Sequence, residues 1–121
     1  MTHYIGTDII EIARIKQATD RWGGRFLHRI YTEPELNLYG KSPWSLAARF
    51  ASKEAVAKLL GAKDKGISWQ DIETLAYPDG KPLVNLYGRA QSEANKLGIK
   101  EIAVSLAHSR EYAIAAAIGS T

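Results

Sequence analysis

The stretch RFASKEAVAK, residues 49–58, decides the fold. It has strong helix formers, no Gly or Pro, and helical spacing of its apolar residues, which predicts a helix. Ser42-Pro43 opens that helix, because proline suits the first helical position. It runs to about Leu60, and Gly61 is a natural stop. On a wheel of about 100° per residue, Glu54 falls among Leu46, Ala47, Phe50, Ala51, Ala57 and Gly61, an apolar stripe. A carboxylate there is costly unless it is paired or binds a metal.

Outward from this helix the chain alternates short strands and helices. Residues 2–8 read as a strand in which Gly6 allows close backbone approach. Residues 9–21 read as a helix with Ile9, Ile12, Ala13 and Ile15 facing inward, broken by Gly23-Gly24. Residues 25–30 make a further short helical turn. TEPE (32–35) pairs an N-cap Thr32 with Glu35 as a capping box. Residues 69–77 and 82–87 read as strands joined by the turn YPDGK, and 88–97 as a short helix ended by Gly98. IKEIAVSLA (99–107) alternates, with Ile102, Val104 and Leu106 on one face. EYAIAAAIG (111–119) puts Tyr112, Ile114, Ala116 and Ile118 together and leaves an alanine face open to a helix or another subunit. The short HSRE connection makes these two an antiparallel hairpin. The class is α+β, one long central helix packed on a mostly antiparallel sheet, in a single domain spanning 1–121.

A chain of 121 residues with 45% hydrophobic and 24% charged residues is ordinary globular protein. It has no cysteine, which excludes disulfide and thiolate chemistry and fits a reducing cytoplasm. No apolar run approaches the roughly 20 residues of a membrane span, and the N-terminus lacks a secretory pattern. The net charge is +3, yet residues 14–29 set five basic residues against Asp20. Such a patch implies an acidic partner unless it is simply a solvated helix face.

Three constellations could carry chemistry. In GTDIIEIARI (6–15), Asp8 sits where strand gives way to helix, with Glu11 at i+3. That spacing fits a capping pattern or a carboxylate aimed into a cleft. In the central helix, Glu54 and Lys58 could form an i,i+4 pair. Alternatively, Asp8 and Glu54 together could hold Mg²⁺, which takes few carboxylates, several waters and phosphate oxygens. Arg49, Lys53 and Lys58 would then neutralise phosphates. In SLAHSREY (105–112), His108 lies in a hairpin connection as base, phosphate ligand or bystander. Nucleic acid is set aside as a partner, since an inward Glu54 and a strand-end Asp8 have no role there. A magnesium-dependent nucleotide hydrolase would need a denser acidic cluster.

GTDIIEIARI and RFASKEAVAK, about 40–45 residues apart and followed by DGKP and SLAHSREYA, resemble the holo-acyl carrier protein synthases. These are short bacterial members of the 4′-phosphopantetheinyl transferase superfamily. The resemblance implies transfer of 4′-phosphopantetheine from coenzyme A to a serine of apo acyl carrier protein, in fatty acid biosynthesis. Adenosine 3′,5′-bisphosphate leaves. It implies Asp8 and Glu54 as magnesium ligands and Lys58 as the cation on the transferring or leaving phosphate. Arg49, Lys53, Gly61, His108 and Ser109 match positions lining the coenzyme A site. The resemblance leaves the base open, with Glu54 through a bound water and Glu11 as candidates. The acidic carrier would dock on Arg14, Arg21 and Arg25, although Gly23-Gly24 interrupts the register before Arg25. Members of this length form homotrimers with active sites between subunits, and the alanine face of the last strand suits that contact.

Overall fold

The computed structural model describes residues 1–61 and 66–121. The chain opens with strand β1 (His3–Glu11), then helices α1 (Ile12–Trp22), α2 (Gly24–Ile30), α3 (Glu33–Tyr39) and α4 (Pro43–Leu59). A 3₁₀ turn (Trp69–Asp71) leads to β2 (Ile72–Ala76) and β3 (Pro82–Leu86). Helix α5 (Gly88–Leu97) and strands β4 (Glu101–His108) and β5 (Tyr112–Ser120) complete it. Two antiparallel sheets result: β1-β5-β4, and the β2-β3 hairpin.

Helix α4 is the axis. Its start is capped as read from sequence, with the Ser42 hydroxyl accepting from Ser45 N at 3.3 Å and proline in the first turn. Its alanines let the sheet come close: Ala51 and Ala55 are fully buried, as are Ala113, Ala115 and Ala117 of β5. Gly6 of β1 completes that surface. A Cβ there would lie 1.9 Å from the Ala55 carbonyl oxygen, so only glycine permits the approach. One apolar cluster, with Val56, Leu59, Leu60 and Ile72, fills the C-terminal end of α4. A second, with Ile15, Ile30, Tyr31 and Leu46, fills the N-terminal end.

Three readings change, and a fourth, left open between a helix and another subunit, is decided for the helix. β1 runs to Glu11 rather than residue 8, because β5 pairs with it along its whole length, ending at Glu11↔Tyr112. Ile9 therefore lies on the outer face of a strand and is 59% exposed, not inside a helix. The segment beginning at 69 is a 3₁₀ turn before it is a strand. The alanine face of β5 is covered by the chain's own α4. The face left open is the opposite one, with Ile5, Ile9, Ile114 and Ile118 exposed. The α3 capping box is as read, with Glu35 N donating to Thr32 Oγ1 and Thr32 N to Glu35 Oε1.

Candidate active site

Asp8 is half-buried within β1, at a point where the strand crosses α4. It caps nothing: α1 begins after Glu11, whose side chain makes no capping bond. Lys58, on the last turn of α4, donates to Asp8 Oδ1 at 3.1 Å and to the Thr7 carbonyl at 2.9 Å. The i,i+4 partner read for Glu54 has thus turned to Asp8. Glu54 is half-buried beside them. Burial pushes its carboxyl pKa up, the neighbouring Asp8 charge pushes it further, and Lys58 offsets part of this. Two carboxylates from separate elements therefore repel one another, and the one ammonium beside them is bonded to Asp8.

Glu54 borders two clefts. One, of about 480 Å³, runs along Lys58, Ala57 and Gly61 to the turn carrying Ser68, Trp69 and Ile72. The other, of about 300 Å³, is bounded by Asp8, Arg14, Phe26 and Phe50. Phe50 and Trp69 stack with ring centroids 5.0 Å apart, joining the walls of the two. Gly61 closes α4 at φ 63°, in the left-handed region that favours glycine, with open space where a side chain would be.

Lys53 requires a correction. It is fully buried, and its ammonium donates to Glu35 Oε1 at 2.7 Å and to the carbonyls of Trp69 at 3.2 Å and Ile72 at 2.5 Å. All three protons are spent inside the protein, so none remains for a phosphate. Burial lowers its pKa, and Glu35 counters that. The wheel placed Glu54 mid-stripe. The structure buries α4 on most of its circumference, Lys53 included, and leaves Glu54 at the margin.

The remaining candidates are dispersed. Arg49 lies in a separate cleft with Lys81, Pro82 and Ser105. Its guanidinium covers the Tyr39 ring at 3.6 Å, and its buried Nε has no hydrogen-bond partner. His108 is the exposed last residue of β4 rather than a loop residue. Ser109 Oγ accepts from Glu111 N and Tyr112 N, which organises the β4-β5 turn. Arg14, Arg21 and Arg25 are exposed, with Arg21 packed over Trp22 at 4.8 Å. Gly23 at φ 55° separates α1 from α2, so Arg25 leaves the α1 register. Trp69 and Ser68 were missed as cleft residues, since nothing in their local sequence points toward α4. Glu35 was read only as a local cap. Among the described residues no group of three or more metal-ligating side chains gathers.

A family model described as the 4′-phosphopantetheinyl transferase superfamily matches residues 4–117. A holo-[acyl-carrier-protein] synthase of Dehalococcoides mccartyi is 62% identical over 112 residues, 93% of this chain and 93% of that relative. The crystal structure of the Helicobacter pylori synthase in complex with coenzyme A superposes with a TM-score of 0.86 at 32% identity, covering 96% of this chain and 99% of that one. The Neisseria meningitidis synthase gives a TM-score of 0.88 at 30% identity, covering 98% of both chains.

Proposed function

Because the chain belongs to the holo-acyl carrier protein synthases of the 4′-phosphopantetheinyl transferase superfamily, we propose that it moves 4′-phosphopantetheine from coenzyme A to a serine of an apo acyl carrier protein. Adenosine 3′,5′-bisphosphate is the other product, and the reaction serves fatty acid biosynthesis in the cytoplasm. The observation that carries the reading is the Asp8–Glu54–Lys58 cluster. Two carboxylates close enough that one raises the pKa of the other are stabilised by a cation, and Lys58 supplies one charge for two.

These residues fit Mg²⁺: Asp8 and Glu54 would hold it, with waters and pyrophosphate oxygens filling its other positions. The ion supplies neutralisation of the charge that builds on the pyrophosphate. The chain's own residues do the rest. Lys58, half-exposed at the cleft mouth, moves toward the leaving phosphate with its long stem. The cleft from Lys58 to Trp69 takes coenzyme A, with Gly61 allowing close approach. The cleft beside Arg14 receives the serine of the carrier. Its acidic surface is drawn to Arg14 and Arg21, with Arg25 at the edge of that patch.

The assembly we propose is a homotrimer. On α4, Arg49 stands about 140° around the helix from Glu54, so it faces another cleft. A nucleotide touching both needs two chains. The contact would use the exposed isoleucines of the outer sheet face rather than the buried alanines. A fully active monomer by light scattering would remove this part.

The test of the function is direct. Apo carrier protein, coenzyme A and Mg²⁺ are incubated with the protein, and the carrier is weighed. A gain equal to phosphopantetheine is expected, and no gain defeats the reading.

A further inference from the structure

The wall of the large cleft opposite α4 is a turn, not a regular element. Ser68, Trp69 and Ile72 face Glu54, Lys58 and Gly61 across it. Three side chains of α4 reach this wall and the strand after it: Phe50 stacks on Trp69, Ser52 bonds Thr74, and Lys53 bonds backbone carbonyls. Lys53 leaves α4 one residue before Glu54, passes beneath the cleft and ends on two carbonyls, Trp69 O in the turn and Ile72 O at the start of β2. Its third proton goes to Glu35, whose carboxylate also takes Thr32 N and Thr74 N, each at 2.9 Å. The amine end is therefore locked to α3 and β2 together. On its far side the same turn is gripped by Gln70, whose amide donates to the carbonyls of His28 and Tyr31.

We infer that Lys53 is a positioning residue for coenzyme A: its side-chain length and its bonds to the Trp69 and Ile72 carbonyls set the width of the cleft between α4 and the 3₁₀ turn. This rests on the reading that coenzyme A occupies that cleft. The physical ground is that a side chain with every proton bonded, in a fully buried site, has one geometry. An ordinary core pair would bridge two packed elements. This one bridges the catalytic helix and the wall facing the catalytic carboxylate. Lys53 touches no substrate atom. It places Trp69 and Ile72, and through them the surface that the nucleotide or its pantetheine arm meets.

Lys53→Met alone leaves Glu35 charged and unpaired, and that variant is expected to fold poorly. The informative protein is Lys53→Met with Glu35→Gln. Here the buried pair is removed as a pair, Glu73 keeps its bonds from Thr32, Asn85 and Tyr87, methionine keeps the volume, and glutamine keeps the cap on Thr32 N. Circular dichroism and melting establish its folding. Coenzyme A binding is then measured by calorimetry, and KM and kcat for both substrates by the mass assay. The expected result is a folded double variant with coenzyme A dissociation constant and KM raised at least tenfold. Its KM for carrier protein should stay within twofold of the parent. A double variant that binds coenzyme A within twofold of the parent overturns the inference, leaving the pair as core structure alone. Equal rises in both KM values overturn it too. A parent that does not bind coenzyme A at all sinks the functional reading instead, so the two failures are distinguishable.

Discussion

Lys53 and Lys58 stand five residues apart on one helix and end in opposite environments. Lys53 is fully buried and bonds Glu35 and two carbonyls. The Lys58 side chain is 55% exposed and rests on Asp8 and a strand carbonyl. A buried charge survives only where the fold supplies every partner, so its bonds are permanent and its role is to hold shape. A charge at a cleft mouth pays little for being there and can exchange partners when a ligand arrives. The same contrast separates two networks. Around Lys53, Glu35, Glu73 and Thr32 the hydrogen bonds are closed. Around Asp8, Glu54 and Lys58 the charge remains unbalanced.

The sharpest break between the two comes from matched truncations. Lys53→Met should cost about 3–5 kcal/mol in urea unfolding, because Glu35 is left charged in the core. Lys58→Met should change stability by less than about 1 kcal/mol, as exposed pairs do, while transfer to the carrier collapses. Equal stability losses would erase the distinction.

Acid separates the networks with opposite signs. For Glu73, desolvation alone would raise the pKa, but bonds from Thr32, Asn85 and Tyr87 outweigh it and hold it below the ordinary value of 4.5. Its stabilisation is present above that pH and is lost as pH falls through the folded value. Glu73→Gln should therefore flatten the acid limb of the stability curve. Glu54 is shifted the other way, so its ionised form weakens the free protein above pH 4.5. Glu54→Gln without added metal should be as stable as the parent at neutral pH, or slightly more stable. Denaturant midpoints across pH check both.

The smallest effect lies outside either network. Arg14→Glu with Arg21→Glu should leave stability within about 0.5 kcal/mol and coenzyme A affinity unchanged, yet raise the KM for carrier protein several-fold. Rim charges act mainly through association rate and are screened by salt. Added salt should therefore raise the parent's carrier KM and barely move that of the variant. Equal weakening of both substrates would assign the arginines to the fold.

Much of this was legible where the cause is local. The Thr32–Glu35 box, the Ser42-Pro43 start, the YPDGK turn and the β4-β5 hairpin depend on neighbours within a few residues, and each stands as read. Gly6 was legible because a lone glycine in a strand signals close approach. What failed depends on distant partners. β1 continues to Glu11 because Tyr112 pairs with it, and Ile9 faces outward for the same reason. The wheel singled out Glu54 but not the charge that is buried. Lys53 is drawn inward by Glu35, eighteen residues away, and by carbonyls on a turn beyond α4. Asp8 is a candidate site residue through the motif. That it lies within a strand, free of any capping duty, needed β5 in place.

The central claim is that Asp8, Glu54 and Lys58 carry chemistry and not the fold. Glu54→Gln tests it most directly, measured in one preparation for melting and for phosphopantetheine transfer to apo carrier protein with Mg²⁺ present. Glutamine keeps the shape of the side chain and removes the charge. The account predicts a melting temperature equal to or above that of the parent and a transfer rate lower by at least about a hundredfold. Transfer at the parental rate, or loss of activity accompanied by loss of the fold, would contradict it.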